Sequence, residues 1–562
     1  MAARRNIQLP VDESENLKIQ GDGYLANGQF NEAVTCYRQA IARNRFNVEA
    51  HFNLGNALKE LGHINEAVAS YRQSLALKPD FAEAHYKLGN AMDALGQLDD
   101  AVACFRRAVE IKPDYTYAHS NLGSALKALG QFDETVKCFR RSLEIAPDLA
   151  PLHFNLGIAL YELGQLGEAE ESFLRALELQ PDYADAHYNL GLVLKDLGNQ
   201  EAALERFHLA LSFKPMFPEA HGNLLFIHAY HGWLNPDEYL SIARGWDQTC
   251  LSAQERQLAH ERAFIRQPLA GRRLKVGYVS GDYRKHAVSY FIEQIFAHHD
   301  QSRIELFCYS TNAHRDEVTE RIQLLASHWV PVIGVSDVGI RERIEADGID
   351  VLIDLSGHTG LNRLGVFARR AAPVQAHYLG YFASTGLSEM DYWIGDDIVT
   401  PIEMEHQFSE RIWRLPRVWV SYKTVLDAPE PDWRPADDGS IWIGSFNNLG
   451  KLTPATLALW GRVLAALPEG KLLLKSKELA DAGNRQRILN ILSGHGVSPE
   501  RIDLQPGSKL GGLYAQYNRL DIALDPVGGH GGGTTTCDTL WMGVPVIMLQ
   551  GTAPHRGLPH RC

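Results

Sequence analysis

The densest chemical signal in the chain is DPVGGHGGGTTTCDTLWMGVP, from Asp525 to Pro545. Its glycines let backbone amides approach a ligand closely. Thr534, Thr535 and Thr536 then open a helix whose N-terminus carries partial positive charge. Such a segment is expected to bind a diphosphate; the alternative is a glycine-rich turn that only caps a helix. The run lacks the Gly-Lys-Ser/Thr ending of a P-loop, and it is not the G-x-G-x-x-G of a dinucleotide fold.

A second strand-turn segment, GSFNNLGKLTP (444–454), carries Lys451, whose ammonium could set a point charge against the same diphosphate. GYVSGDYRKHAVSY puts Asp282 and His286 just past one strand, and SGHTG puts His358 and Thr359 past a later one. Residues at strand C-termini face the ligand crevice of an open α/β fold, and two histidines at two strand ends point to chemistry more than one would. No D-x-D, H-E-x-x-H or cysteine-histidine cluster occurs, so no metal or other cofactor is expected. A departing nucleotide diphosphate would then be stabilised by Lys451 and the helix amides near Thr534 and Thr535.

These residues need sheets to hold them. LKVGYVS (274–280), RIELFCYS (303–310), DVLIDLSG (350–357), VQAHYLGY (374–381) and YWIGDD (392–397) read as buried parallel strands of one α/β lobe, 271–424. The Pro- and Asp-rich stretch 425–440 reads as an exposed interlobe linker. Beyond it IWIGSF, KLLLKS, RIDLQP, DIALD and PVIMLQ outline a second α/β lobe, 441–562. Two such lobes enclose a cleft at the C-terminal ends of their sheets.

The N-terminal half follows another period. His51, His85, His119, His153, His187 and His221 stand 34 positions apart in a recurring AHxNLG phrase, the signature of stacked repeats. Within the copy from Ala82, Leu88, Gly89, Ala101, Phe105 and Ala108 let two antiparallel helices pack closely, and Pro113 closes the unit. This framework resembles the tetratricopeptide repeat, with six units over 14–217, then a seventh first helix and a helical linker over 218–270. Asn53, Asn121, Asn155, Asn189 and Asn223 recur in register, with Lys87 breaking the series. Their amides suit holding an extended polypeptide by its backbone, or bonding the neighbouring repeat.

The 562 residues carry a formal net charge of −13, which argues against nucleic-acid binding through the phosphate backbone. No apolar run long enough for a membrane span and no signal peptide is evident, so a cytoplasmic protein with no membrane association is expected. The seven cysteines are scattered; Cys36, Cys104 and Cys138 share one repeat position and read as small packing residues.

Taken together, the repeats followed by GYVSGDY, APVQAHYLGY, GSFNNLGKLTP and GGTTTCDTLWMGVP resemble the protein O-linked glycosyltransferases, the family containing O-GlcNAc transferase and SPINDLY. The resemblance implies a tetratricopeptide superhelix followed by a two-lobed GT-B region of two Rossmann-like lobes. It implies a metal-independent, inverting transfer of a sugar from a nucleotide sugar to Ser or Thr of intracellular polypeptides lying along the repeat groove. By motif match, Lys451 contacts the donor phosphates with Asn448 as polar partner, Thr534 and Thr535 bind phosphate, and Asp538 is a sugar-contacting carboxylate. Asp282 and His286 match an active-site pair, Leu379 and Gly380 a sugar-side turn, and His221 resembles another active-site histidine. Either His286, or Asp282 directly or through a water chain, could take the acceptor proton.

UDP-GlcNAc is the donor expected for the family, with GDP-fucose the close alternative. Several stretches look nearer to SPINDLY, and Leu513 and Gln516 stand near where the GlcNAc branch has His and Arg. The chain also reads Gly380, Tyr381, Phe382 where the family commonly has Gly-Tyr-Pro. Its final stretch GTAPHRGLPHRC departs from the family pattern, so a shortened second lobe is expected, with an inactive repeat scaffold as the alternative function.

Overall fold

A computed structural model describes residues 13–231, 234–264, 268–422, 430–432, 438–508, 510–527 and 533–549. The chain divides into two compact units, Met1–Pro181 and Asp182–Cys562.

The first unit is a stack of helix pairs: Glu13–Ala26 with Phe30–Arg43, Val48–Glu60 with Ile64–Leu77, Ala82–Ala94 with Leu98–Ile111, Thr116–Ala128 with Phe132–Ile145, and Ala150–Glu162 with Leu166–Leu179. One aromatic side chain per pair fills the space that a glycine on the facing helix leaves open. A Cβ on Gly89 would lie 2.6 Å from Phe105, a residue only 1% exposed. The periodic histidines have a structural role here. Nε2 of His51, His85, His119 and His153 bonds the backbone carbonyl six residues upstream, at 3.1, 3.0, 3.0 and 2.7 Å, tying down the turn between units.

The second unit begins with a sixth helix pair, Ala184–Asp196 and Gln200–Phe213, and continues through helices Pro218–His231, Pro236–Cys250 and Ala253–His260. Two parallel sheets follow. The first contains β1 (Leu274–Ser280), β2 (Ile304–Ser310), β3 (His328–Pro331), β4 (Val351–Asp354), β5 (Val374–His377), β6 (Tyr392–Asp396) and β7 (Arg411–Leu415), in the order β3-β2-β1-β4-β5-β6-β7. The second contains β8 (Ile441–Ser445), β9 (Gly470–Lys475), β10 (Ile502–Gln505), β11 (Ile522–Leu524) and β12 (Val546–Ile547), in the order β10-β9-β8-β11-β12. This is the expected class, helical repeats followed by two parallel α/β sheets. Leu225, Tyr239 and Trp246 from the connecting helices share one core with Val279, Leu352 and Tyr381, so those helices form part of the first lobe's packing.

Two expected strands are shorter than their apolar text. The runs 350–357 and 374–381 leave the sheet after Asp354 and His377, because both carboxyl ends turn sharply; Leu379 takes a left-handed φ of +66°. Residues 423–424, the stretches 425–429 and 433–437 of the expected linker, the glycine loop 528–532 and residues 550–562 lie outside the described set. No helix among the described residues is long and apolar enough to cross a membrane.

Candidate active site

Asp282 lies just beyond β1 and is 6% exposed. Its backbone N–H donates to Ser280 Oγ at 3.0 Å, and its carbonyl accepts from the Ser289 hydroxyl. His286 caps the helix Ala287–Ala297, with Nδ1 3.4 Å from the Val288 N–H and 3.4 Å from Asp282 Oδ2. Burial pushes the Asp282 carboxyl up, against the pull of His286 and Arg284. Burial likewise pushes His286 down, although Asp282 opposes it. Burial therefore favours the neutral imidazole, whose Nδ1 accepts from the Val288 N–H and lies beside the Asp282 carboxyl.

The loops after β4 and β5 interlock. A Cβ on Gly380 would fall 1.8 Å from the Leu355 carbonyl oxygen, so only glycine lets the Leu379–Tyr381 turn pass over that strand end. His358 is 3% exposed and donates from Nε2 to the Thr385 carbonyl at 2.7 Å; burial drives it down to about 4. The Thr359 hydroxyl donates to the Ser356 carbonyl at 2.7 Å. Both sequence-selected residues thus have structural bonds that shape the loop.

At the C-terminal end of the second sheet, Ser445, Asn447, Asp525, Thr535 and Thr536 line one small cavity. Thr534 and Thr535 begin the helix Thr534–Trp541, as expected. Lys451 sits beyond the strand end, on the 3-10 turn Leu449–Lys451, rather than at the end of β8. Burial lowers its ammonium, and the charge of Asp525 opposes the shift. Asn448 is exposed; its Oδ1 accepts from the Gly450 N–H at 2.8 Å and its Nδ2 donates to Glu478 at 3.3 Å, so it shapes the lysine turn.

Asp538 is 9% exposed, and burial raises its carboxyl against the hydrogen bonds of Tyr422 and Tyr514. Its charge is felt by Tyr290, and the Tyr422 ring lies 5.7 Å from Phe291. Both residues belong to the helix that His286 opens, so Asp538 faces the Asp282–His286 side of the first lobe. Among the described residues, no group of three or more His, Cys, Asp or Glu side chains could hold a metal ion.

The last repeats touch the site directly. His221 abandons the repeat role: its Nε2 bonds the Ile242 carbonyl at 3.1 Å, and its charge acts on His358. Gln200 donates to the Gly450 carbonyl at 2.9 Å, so the sixth repeat braces the Lys451 turn. The asparagines are engaged within the array. Asn53 donates to Asp22 at 2.8 Å, Asn121 to Asn90 at 2.7 Å and Asn189 to the Asp185 carbonyl at 2.8 Å; Asn155 and Asn223 accept from Lys127 and Lys195 at 3.2 and 3.0 Å. Four of these five bonds run between repeats, the arrangement expected of the spacing alternative.

Residues 220–423 match Glycosyl transferase family 41, while stretches between 21 and 198 match a TPR repeat and 184–215 a tetratricopeptide repeat. The probable UDP-N-acetylglucosamine--peptide N-acetylglucosaminyltransferase SPINDLY of Solanum lycopersicum is 38% identical over 291 residues, which is 50% of this chain and 31% of that protein. The corresponding SEC protein of Arabidopsis thaliana is 31% identical over 290 residues, 50% of this chain and 29% of that protein. A solved structure of a mutant Thermobaculum terrenum O-GlcNAc transferase superimposes with a TM-score of 0.71 at 35% identity, covering 79% of this chain and 83% of that one. The chain belongs to glycosyltransferase family 41, the O-GlcNAc transferase and SPINDLY-like group.

For a family 41 chain, several site residues escaped sequence reasoning. Tyr422 lies well past the last strand recognised in the first lobe, Tyr514 in an ordinary helix, Gln200 in a repeat and His377 inside an apolar strand. Only Asp525, the residue ending a strand at the head of the glycine run, carried a positional signal.

Proposed function

We propose that this chain is a protein O-glycosyltransferase that moves GlcNAc from UDP-GlcNAc to Ser or Thr of cytoplasmic polypeptides, inverting the anomeric centre without a metal. The observation that carries the reading is the grouping of Lys451, Asp525 and Thr535 at one sheet end, with Asp538 turned toward the helix that His286 opens. Lys451 and the amides opening the Thr534 helix would stabilise the departing diphosphate, Asp538 would orient the sugar, and His286 or Asp282 would take the acceptor proton. Backbone groups of the acceptor would replace the inter-repeat partners of Asn53, Asn121, Asn155 and Asn223 and the intrahelical partner of Asn189.

GDP-fucose is the second reading. It is favoured by Leu513 and Gln516, which lack the ring and guanidinium donors of the GlcNAc branch. Calorimetric titration with UDP and GDP in parallel, using the chain and its Lys451→Ala variant, tests both. Lysine-dependent binding of one nucleotide selects the donor; binding of neither sinks the enzyme reading and leaves a repeat scaffold.

A further inference from the structure

His377 and Asp354 form a wholly buried pair at the ends of β5 and β4, each side chain 0% exposed, beneath the Leu379–Tyr381 turn. The ring uses both nitrogens: Nδ1 lies 2.7 Å from Asp354 Oδ2 and Nε2 lies 2.7 Å from the Tyr381 carbonyl oxygen. A carbonyl oxygen offers only lone pairs, so Nε2 must carry a proton. The Asp354 carboxylate already accepts from the Ser356 and Gly357 N–H groups at 3.1 and 2.7 Å, so a proton is required on the Nδ1 side as well. Against the ionised Asp354 carboxylate, the form its two N–H donors stabilise, a singly protonated ring would set one lone pair against another in a site closed to solvent.

We infer that His377 is an imidazolium and acts as the positioning residue for the sugar-side turn, clamping Tyr381 to Asp354 so that Leu379 and Gly380 present a fixed surface to the hexose of the nucleotide sugar. The word sugar rests on the proposed function; the charge state does not. Glu410 also favours the proton, neutral His358 faces the pair from the β4 loop, and the rings of Tyr381 and Trp393 complete the surroundings. Burial opposes the charge, but the Asp354 bond and charge outweigh it, and the ring's pKa is raised. The clamp is therefore fully formed below about pH 6.5 and is lost as pH rises through the raised value.

Nitrogen-15 NMR of the histidine-labelled full chain tests the charge state. The ring is assigned with His377→Gln or, should that variant not fold, through its contacts with Tyr381 and Trp393. A doubly protonated signature at pH 7 is expected, and a neutral one overturns the inference. Donor kinetics and nucleotide calorimetry above the NMR midpoint test the role. The nucleotide-sugar KM should rise about 10-fold, as for loss of a charged hydrogen bond, while the nucleotide Kd stays unchanged. An unchanged KM, or equal changes in both, overturns the positioning role. Failure of nucleotide to bind at every pH removes the donor-site reading and this role with it, and is recognised separately because the NMR result stands alone.

Discussion

The hydroxyl of Tyr422 donates a hydrogen bond to Oδ1 of Asp538, and Tyr514 donates to the same oxygen. Tyr422 follows the first sheet and Asp538 sits in the first turns of a second-lobe helix, so one carboxylate oxygen fastens the two lobes. Held by two neutral donors, this buried carboxylate keeps its orientation.

Tyr422→Phe removes one donor and leaves the ring on Phe291. The nucleotide-sugar KM should rise about 5-fold, the worth of one hydrogen bond near 1 kcal/mol, with nucleotide affinity unchanged. Steady-state kinetics beside calorimetry checks this, and equal losses in both would place Tyr422 in the phosphate site instead.

Lys451→Ala should weaken nucleotide binding at least about 10-fold. Because burial lowers this ammonium, wild-type affinity should also begin to fall at a lower pH than the ordinary lysine value of 10.5. A calorimetric series in pH measures both.

Asp282→Asn should separate stability from activity. The carboxyl's folded pKa lies above its ordinary value of 3.8, so its contribution is favourable only below that pH and is lost as pH rises through the raised value. At neutral pH the buried charge is a cost that asparagine removes. The variant should melt at a higher temperature and turn over about 100-fold more slowly, the share expected of a proton-transfer group. A lower melting point would contradict the burial argument.

Gly380→Ala should cost about 3 kcal/mol in chemical denaturation, since its methyl meets the Leu355 carbonyl oxygen and the turn must shift. Gln200→Ala, by contrast, should cost only about 1 kcal/mol and weaken nucleotide binding through the Lys451 turn.

The parts of this architecture legible in the sequence were those with a strong local pattern. β1 and β2 are mostly apolar runs, each interrupted by one charged residue near its start, and the repeats announce themselves by period. β3, reading HWVP, and β7, reading RIWRL, went unrecognised because they are short and polar-interrupted edge or near-edge strands. The early end of β5 is followed by a left-handed leucine, Leu379, which no residue preference signals. Asp282 and His286 could be chosen by their place after a strand. His377 was hidden because a histidine in an apolar strand looks like any core residue, and its two acceptors come from the end of the neighbouring strand and from the turn after its own. The asparagine series shows the opposite limit: register identified the residues but could not say whether their partners were internal.

The compact boundary falls after Pro181, one repeat earlier than the repetition itself ends. The sixth pair therefore belongs to the same compact unit as the two parallel sheets, while the five preceding pairs make up a unit of their own. Adding or deleting a 34-residue unit upstream of Asp182 would change the length of the repeat array without altering the brace on the Lys451 turn. Reach could thus diversify independently of reaction chemistry.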